Sequence, residues 1–286
     1  MTRYQPATSV EDAILLLAAD PDGAKLISGG TALVLMMRHG LVQLDTLVAI
    51  GDLPELRGIA LHDRVLRIGA ATTLAEVAAS PVVRTHAPAL AEACGHVGNV
   101  RVRAVATLGG NVAEADFASD PPAALVCLDA TCQVVGPRGH RTVAVADVIV
   151  GPYMTTLQTD EVLTGIDVPI RPRGSRQAYL RMTTRSSEDR PSAVAAARAI
   201  IESGVVVDLS VVTAASTTTP LRLPQTIAPA LGAPLDAGRI DAIAAGYEEA
   251  MEAIDDLRAS AWYRRRLTGV LVRRVLHSVG GQEATS

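Results

Sequence analysis

Thr107-Leu108-Gly109-Gly110-Asn111, with Asp116 and Asp120 close behind it, is the stretch that decides how this chain is read. A threonine, two adjacent glycines and an amide separate the apolar, arginine-bearing run 100–105 from the apolar run 123–128. Paired glycines allow φ > 0 and leave backbone N–H groups uncovered, so a phosphate or a ring edge can approach the main chain. Threonine and asparagine add short hydrogen-bonding side chains at the same spot. Upstream, Lys25-Leu26-Ile27-Ser28-Gly29-Gly30-Thr31-Ala32-Leu33 has the same character. Together the two segments predict two loops closing on one extended anionic ligand.

The surroundings of the first segment read as a small α/β unit. Ser9 is a candidate N-cap with Glu11 and Asp12 in the first turn, and the helix it opens stops at the turn Asp20-Pro21-Asp22-Gly23. Residues 25–27 read as a strand, Gly29-Gly30-Thr31 as a turn into a helix over 33–38, and 46–50 as another strand. A glycine turn at a helix N-terminus favours a phosphate. A second unit starts near Arg57, with strands at 65–68, 134–135, 141–145 and 161–168. Its helices are expected after Thr72 or Thr73, over 88–94, and from Pro121-Pro122, proline being suited to a first turn. Between them lie a turn at 95–99 and the 107–111 loop. Residues 169–174 read as a linker. Beyond it, 193–201 and 205–212 form a hairpin about Glu202-Ser203-Gly204. Ile240, Ile243, Tyr247, Met251 and Ile254, then Leu267, Val270, Leu271 and Arg274, recur at helical spacing. The tail 280–286 is expected to fray.

Composition narrows the function. The 286 residues are 49% hydrophobic and 20% charged, with a net charge of −4, which are globular values. Aromatics make up 2%, too few for base-stacking platforms, and the arginine clusters at 264–266 and 273–274 read as solvated helix faces, so no nucleic acid is expected. Cys94, Cys127 and Cys132 lack the spacing of a zinc or iron–sulfur site and read as buried thiols in a reducing compartment. The six histidines suggest no metal site, and no serine or cysteine has a recognisable base partner, which argues against a hydrolase. Without a signal peptide or a membrane-length apolar run, the chain reads as cytoplasmic. Neither G-x-G-x-x-G nor G-x-x-x-x-G-K-[ST] occurs, so a bound dinucleotide would be held by another design.

The pair Ser-Gly-Gly-Thr and Thr-Leu-Gly-Gly-Asn, with the later Ser187-Glu188-Asp189, resembles the FAD-binding (medium) subunit of molybdenum hydroxylases of the carbon monoxide dehydrogenase and xanthine dehydrogenase type. The likeness runs from Tyr4-Gln5-Pro6 to Trp262-Tyr263-Arg264. It implies an α+β chain: a two-part FAD-binding domain, with a small α/β unit over 1–55 and a larger α+β unit over 56–170. A C-terminal domain over 175–286 follows, with a small antiparallel sheet and a helical bundle.

By that resemblance Ser28, Gly29, Gly30, Thr31 and Leu33 hold the FAD diphosphate, and Thr107, Gly109, Gly110 and Asn111 approach it from the other side. Lys25, Leu26, Ile27, Ala32 and Leu163 complete the walls. Asp120 matches an aspartate by the ribityl chain or ring, and it also reads as an N-cap for the helix at Pro121; Asp116 follows the same logic. Tyr179 would lie over the flavin face, or else be a core aromatic with its hydroxyl at the surface. Arg181 would stabilise negative charge on the reduced ring, and Asp189 would bond the arginines around it. The chain departs from the family at Glu114, where histidine is usual, and at Phe117, where proline is usual; a carboxylate pointing at a pyrophosphate is unfavourable.

The implied function is electron transfer. An iron–sulfur small subunit with 2Fe-2S clusters and a molybdopterin large subunit would feed FAD, which would pass electrons to NAD, O₂ or a quinone. Two alternatives remain at this point: a free-standing FAD-dependent oxidoreductase with its own substrate, such as a cell-wall precursor reductase or an alcohol oxidase, and a flavin-free scaffold subunit.

Overall fold

The computed structural model describes residues 2–281; the expectation of a frayed tail falls largely on 282–286, outside the described residues. Three sheets carry the architecture. In the first, the strand Thr46–Ala49 lies between Arg3–Pro6 and Ala24–Ile27, all parallel. Helix Val10–Ala19 makes the crossover, opened by Ser9, whose hydroxyl accepts from Asp12 N. The strand Arg3–Pro6 was not legible, because Arg-Tyr-Gln-Pro has no apolar alternation. Its proline is tolerated because it sits on the sheet edge.

The second sheet is antiparallel, in the order Ile59–His62, Val65–Gly69, Val162–Pro169, Thr131–Gly136, Gly139–Ala144. Short helices cover it, among them Leu74–Ala79 with a reciprocal cap between Thr73 and Glu76, Pro88–His96, and Pro121–Cys127. Two further helices, Pro81–His86 and Val100–Arg103, occupy stretches not read as helical.

The segment 107–111 is not a loop. Thr107 is the N-cap of a helix over Leu108–Glu114, its hydroxyl accepting from Gly110 N at 3.2 Å. Gly109 and Gly110 are therefore not there for a positive φ; of the four glycines in the two segments only Gly30 has one, at +67°. Gly109 serves close packing instead. A Cβ there would fall 2.5 Å from the Ala70 Cβ.

The third sheet, Arg176–Met182, Ala193–Glu202, Val205–Ala214 and Leu221–Arg222, is antiparallel. Its hairpin turns at Ser203 (φ 51°) and Gly204 (φ 81°), both left-handed as a tight two-residue turn requires. Strand side chains alternate between faces. Ala193, Ala195, Ala197 and Ala199 pack with helices Ala237–Ala250 and Ala261–Gly280, whereas Val194 and Ala196 join the core around Pro121–Cys127. Covered on both faces, Ala193–Glu202 is apolar from Ala193 to Ala197, is interrupted by the buried Arg198, and its alanines let both layers approach closely. The long helices of this region, Ala237–Ala250 and Ala261–Gly280, pack on each other and share a core with the sheet, and a short helix Pro224–Ile227 precedes them. Met251 and Ile254, read as continuing the first of these helices, lie past its end. All three cysteines are free and buried; burial pushes Cys127 up to about 11 and Cys132 to about 12, so these thiols are inert.

Candidate dinucleotide site

The two glycine segments meet at one place. A Cβ on Gly29 would lie 2.0 Å from the Val105 carbonyl oxygen, so the first turn rests against the backbone leading into Thr107. Beside this contact opens a cavity of about 500 Å³, within the usual range for small-molecule sites. Its walls include residues 25–33, then Thr107, Gly109, Gly110 and Asn111, then Asp116, Asp120 and Leu163. Leu163 sits where the ladder to Thr131–Gly136 slips between Leu163 and Gly165; such bulges often aim side chains at sites.

The two segments contribute unlike chemistry. Among the described residues, the N–H groups of Gly29, Gly30, Thr31 and Ala32 donate to no protein acceptor. The Ser28 hydroxyl is buried in the same wall with no partner. A buried hydroxyl without a partner costs about 1–3 kcal/mol, so this wall is built to be completed by an acceptor. In the second segment, among the described residues, only Thr107 N–H donates to no protein acceptor, and the N–H groups of both glycines are engaged. Leu108 N donates to Thr72 O, Gly109 N to Ala70 O, Gly110 N to Thr107 Oγ1 and Asn111 N to Thr107 O. It offers a smooth backbone face, with Asn111 Oδ1 accepting from Ser119 Oγ at 3.0 Å. The expectation of open N–H groups at the paired glycines therefore holds for Gly29 and Gly30 and not for Gly109 and Gly110.

Asp120 turns away from a capping role. Its side chain makes no cap bond to helix Pro121–Cys127. It accepts from the Tyr179 hydroxyl at 2.6 Å and from Arg181 Nη1 at 3.1 Å. Burial pushes its carboxyl up, while the Arg181 guanidinium and the Tyr179 hydroxyl pull it back. Burial also raises Tyr179 well above the usual tyrosine range, as does the adjacent Asp120 charge. Tyr179 is 1% exposed and, like Arg181, is absent from the cavity wall. Its hydroxyl is therefore not at the surface but bonded to Asp120. Tyr179 and Arg181 stand behind Asp120 and fix it, Arg181 also donating to His96 O at 2.6 Å and to Asp189 O.

Asp189 thus meets arginine through its carbonyl, while its carboxylate accepts from Ser186 N. The residue missed in the sequence is its neighbour Arg190. It lines the cavity and pairs with Asp116 at 2.7 Å, spanning from the third sheet's loop to the loop after helix Leu108–Glu114. Tyr153 joins this pair, its hydroxyl 3.4 Å from both Asp116 Oδ1 and Arg190 Nη1. Nothing in the spacing of Asp116, Tyr153 and Arg190 signals that they meet. Glu114 lines the cavity as well; burial and then Asp116 push its carboxyl up, opposed by Lys25 and Arg190. Among the described residues no group of three or more metal-ligating side chains converges, and no helix is long and apolar enough to cross a membrane.

Residues 1–171 match the family described as the FAD binding domain in molybdopterin dehydrogenase, and residues 178–279 match the CO dehydrogenase flavoprotein C-terminal domain. The nicotine 6-hydroxylase medium subunit of Paenarthrobacter nicotinovorans is 31% identical over 98% of both chains. The carbon monoxide dehydrogenase medium chain of Afipia carboxidovorans is 31% identical over 96% of this chain and 94% of its own length. A solved carbon monoxide dehydrogenase from Hydrogenophaga pseudoflava superposes with a TM-score of 0.95 at 32% identity, covering 98% of this chain and 97% of that one.

Proposed function

This chain belongs to the FAD-binding medium subunits of the molybdopterin dehydrogenases, and from that premise we propose that it is the electron-transfer subunit of a molybdenum hydroxylase complex. The observation that carries the reading is the Ser28 wall: an orphaned buried hydroxyl and four open N–H groups on a cavity large enough for a cofactor. That donor set suits the diphosphate of FAD, with no cation or phosphate-binding lysine motif required. Gly110, exposed on the opposite wall, leaves room beside Thr107, since a Cβ there would come within 2.8 Å of Thr107 Oγ1. Glu114 does not suit a pyrophosphate contact while ionised.

A bound FAD takes electrons singly and yields them in pairs. The residues of this chain would hold it, bury it and set its surroundings: Ser28 and the 29–32 backbone would serve the phosphates, and Asn111, Asp116, Asp120 and Leu163 would line the rest. Tyr179 and Arg181 act on it only through Asp120. We infer that electrons arrive from an iron–sulfur small subunit, itself supplied by a molybdopterin large subunit, and leave to an acceptor such as NAD, O₂ or a quinone, in the cytoplasm. The exposed apolar side chains Val34, Leu35 and Leu41 beside the first glycine turn supply surface that a partner can cover.

The test is anaerobic. Substrates of molybdenum hydroxylases are added to the isolated chain and to the reconstituted complex while flavin absorbance is followed. Bleaching is expected only in the complex. Rapid bleaching by an organic substrate in the isolated chain would favour a free-standing flavoenzyme instead.

A further inference from the structure

The rim of the cavity is organised by a side chain that does not reach it. Arg264 lies in the first turn of helix Ala261–Gly280 and is 1% exposed. Its Nη1 donates to the carbonyls of Ser192 at 2.7 Å and Ala215 at 2.5 Å. Nε donates to Ala259 O at 3.3 Å, and Nη2 pairs with Asp256 at 2.7 Å.

The two carbonyls it joins lie outside the cavity wall, each beside a segment that supplies one member of the rim pair. Ser192 lies two residues after Arg190. Ala215 N donates to the carbonyl of Phe117, the neighbour of Asp116, at 3.1 Å. Arg190 and Asp116 are the pair that closes across the rim at 2.7 Å. One guanidinium thus sets, through the main chain, where both ends of that pair stand. Ala215 also holds a left-handed φ of 63°, which a non-glycine residue keeps only when its surroundings over-determine it. A planar fork with five donors can serve two carbonyls and a carboxylate at once; a lysine ammonium cannot keep that geometry.

We propose that Arg264 is a positioning residue for the flavin: it fixes the register of the Arg190–Asp116 clasp and so slows cofactor release. The inference rests on the assignment of the cavity to FAD. The experiment measures the rate of FAD release from the holo-chain, by recovery of flavin fluorescence after dilution. It compares the wild type with Arg264→Lys, Arg190→Gln, the double variant and Val275→Ala. Val275 is buried in the same helix about three turns beyond Arg264, so its truncation serves as the control for lost stability alone.

Arg264→Lys and Arg190→Gln are each expected to speed release about tenfold, the equivalent of about 1.4 kcal/mol. The double variant should be no faster than the faster single, because both act on one clasp. Val275→Ala should lower the melting temperature and leave the release rate unchanged. Should Arg264→Lys fail to fold, Asp256→Asn takes its place; Asp256 is partly exposed, and losing its charge frees the guanidinium for an expected acceleration of about threefold. A folded Arg264→Lys, or in its place Asp256→Asn, that releases FAD at the wild-type rate would overturn the proposal, as would single effects that multiply in the double. A wild-type chain that takes up no FAD would overturn the cofactor assignment itself, a separate result.

Discussion

Gly29→Ala is expected to weaken FAD binding at least about a hundredfold, or about 2.7 kcal/mol. The added Cβ would lie 2.0 Å from Val105 O, 2.7 Å from Val105 C and 2.9 Å from Ala106 Cα. All three are backbone atoms, so no side chain can swing aside. Either the first glycine turn or the strand of chain entering Thr107 must move, and the donors of residues 29–32 move with it. Gly30→Ala makes a useful contrast. Its Cβ would meet only the ends of Ile27 and Val34 at 3.2 and 3.3 Å, and its φ of +67° costs a single alanine about 1–2 kcal/mol. A fluorescence titration with FAD, alongside melting curves, separates the two variants. Wild-type affinity in Gly29→Ala would mean that the contact between the segments plays no part in the site.

Asp120→Ala should be the most destabilising single change near the cavity, by about 3–5 kcal/mol in urea unfolding. The side chains of Asp120 and Arg181 are 4% and 7% exposed, and Tyr179 is buried beside them. Truncation leaves a buried guanidinium short of its counter-charge and a buried phenol without its acceptor. Combining it with Arg181→Met removes the stranded charge, so the double variant is expected to be more stable than Asp120→Ala alone. If the losses simply add, the pair does not act as a unit. Because Asp120 belongs to the 107–120 region and Tyr179 and Arg181 to the third sheet, the same triad also ties these two parts of the chain together.

What was legible in the sequence was local chemistry with a period or a cap. Ser9, the Gly29-Gly30 turn and the Ser203-Gly204 hairpin carry their geometry in neighbouring residues and are legible in place, while the cap at Thr73 is legible only as one of two candidates with Thr72. The segment 107–111 was found but read as a loop, because Gly-Gly suppresses helix propensity and Thr107 as a cap is recognised only once the helix after it is seen. Long-range partners left no trace. Asp116 meets Arg190, and Asp120 meets Tyr179 and Arg181, across separations that no spacing rule spans. Tyr179 and Arg181 bond Asp120, which lines the cavity, a link that their own spacing does not signal. Arg264 looked like part of a solvated basic face, whereas burial makes it the centre of a carbonyl network.

The central claim is that this chain holds FAD non-covalently in the cavity walled by Ser28 and residues 29–32. Acid precipitation of the native protein tests it most directly, with the flavin quantified in supernatant and pellet. The account predicts a yellow protein that releases one FAD per chain into the supernatant. A colourless native protein that cannot take up FAD, or colour that stays with the pellet, would contradict it.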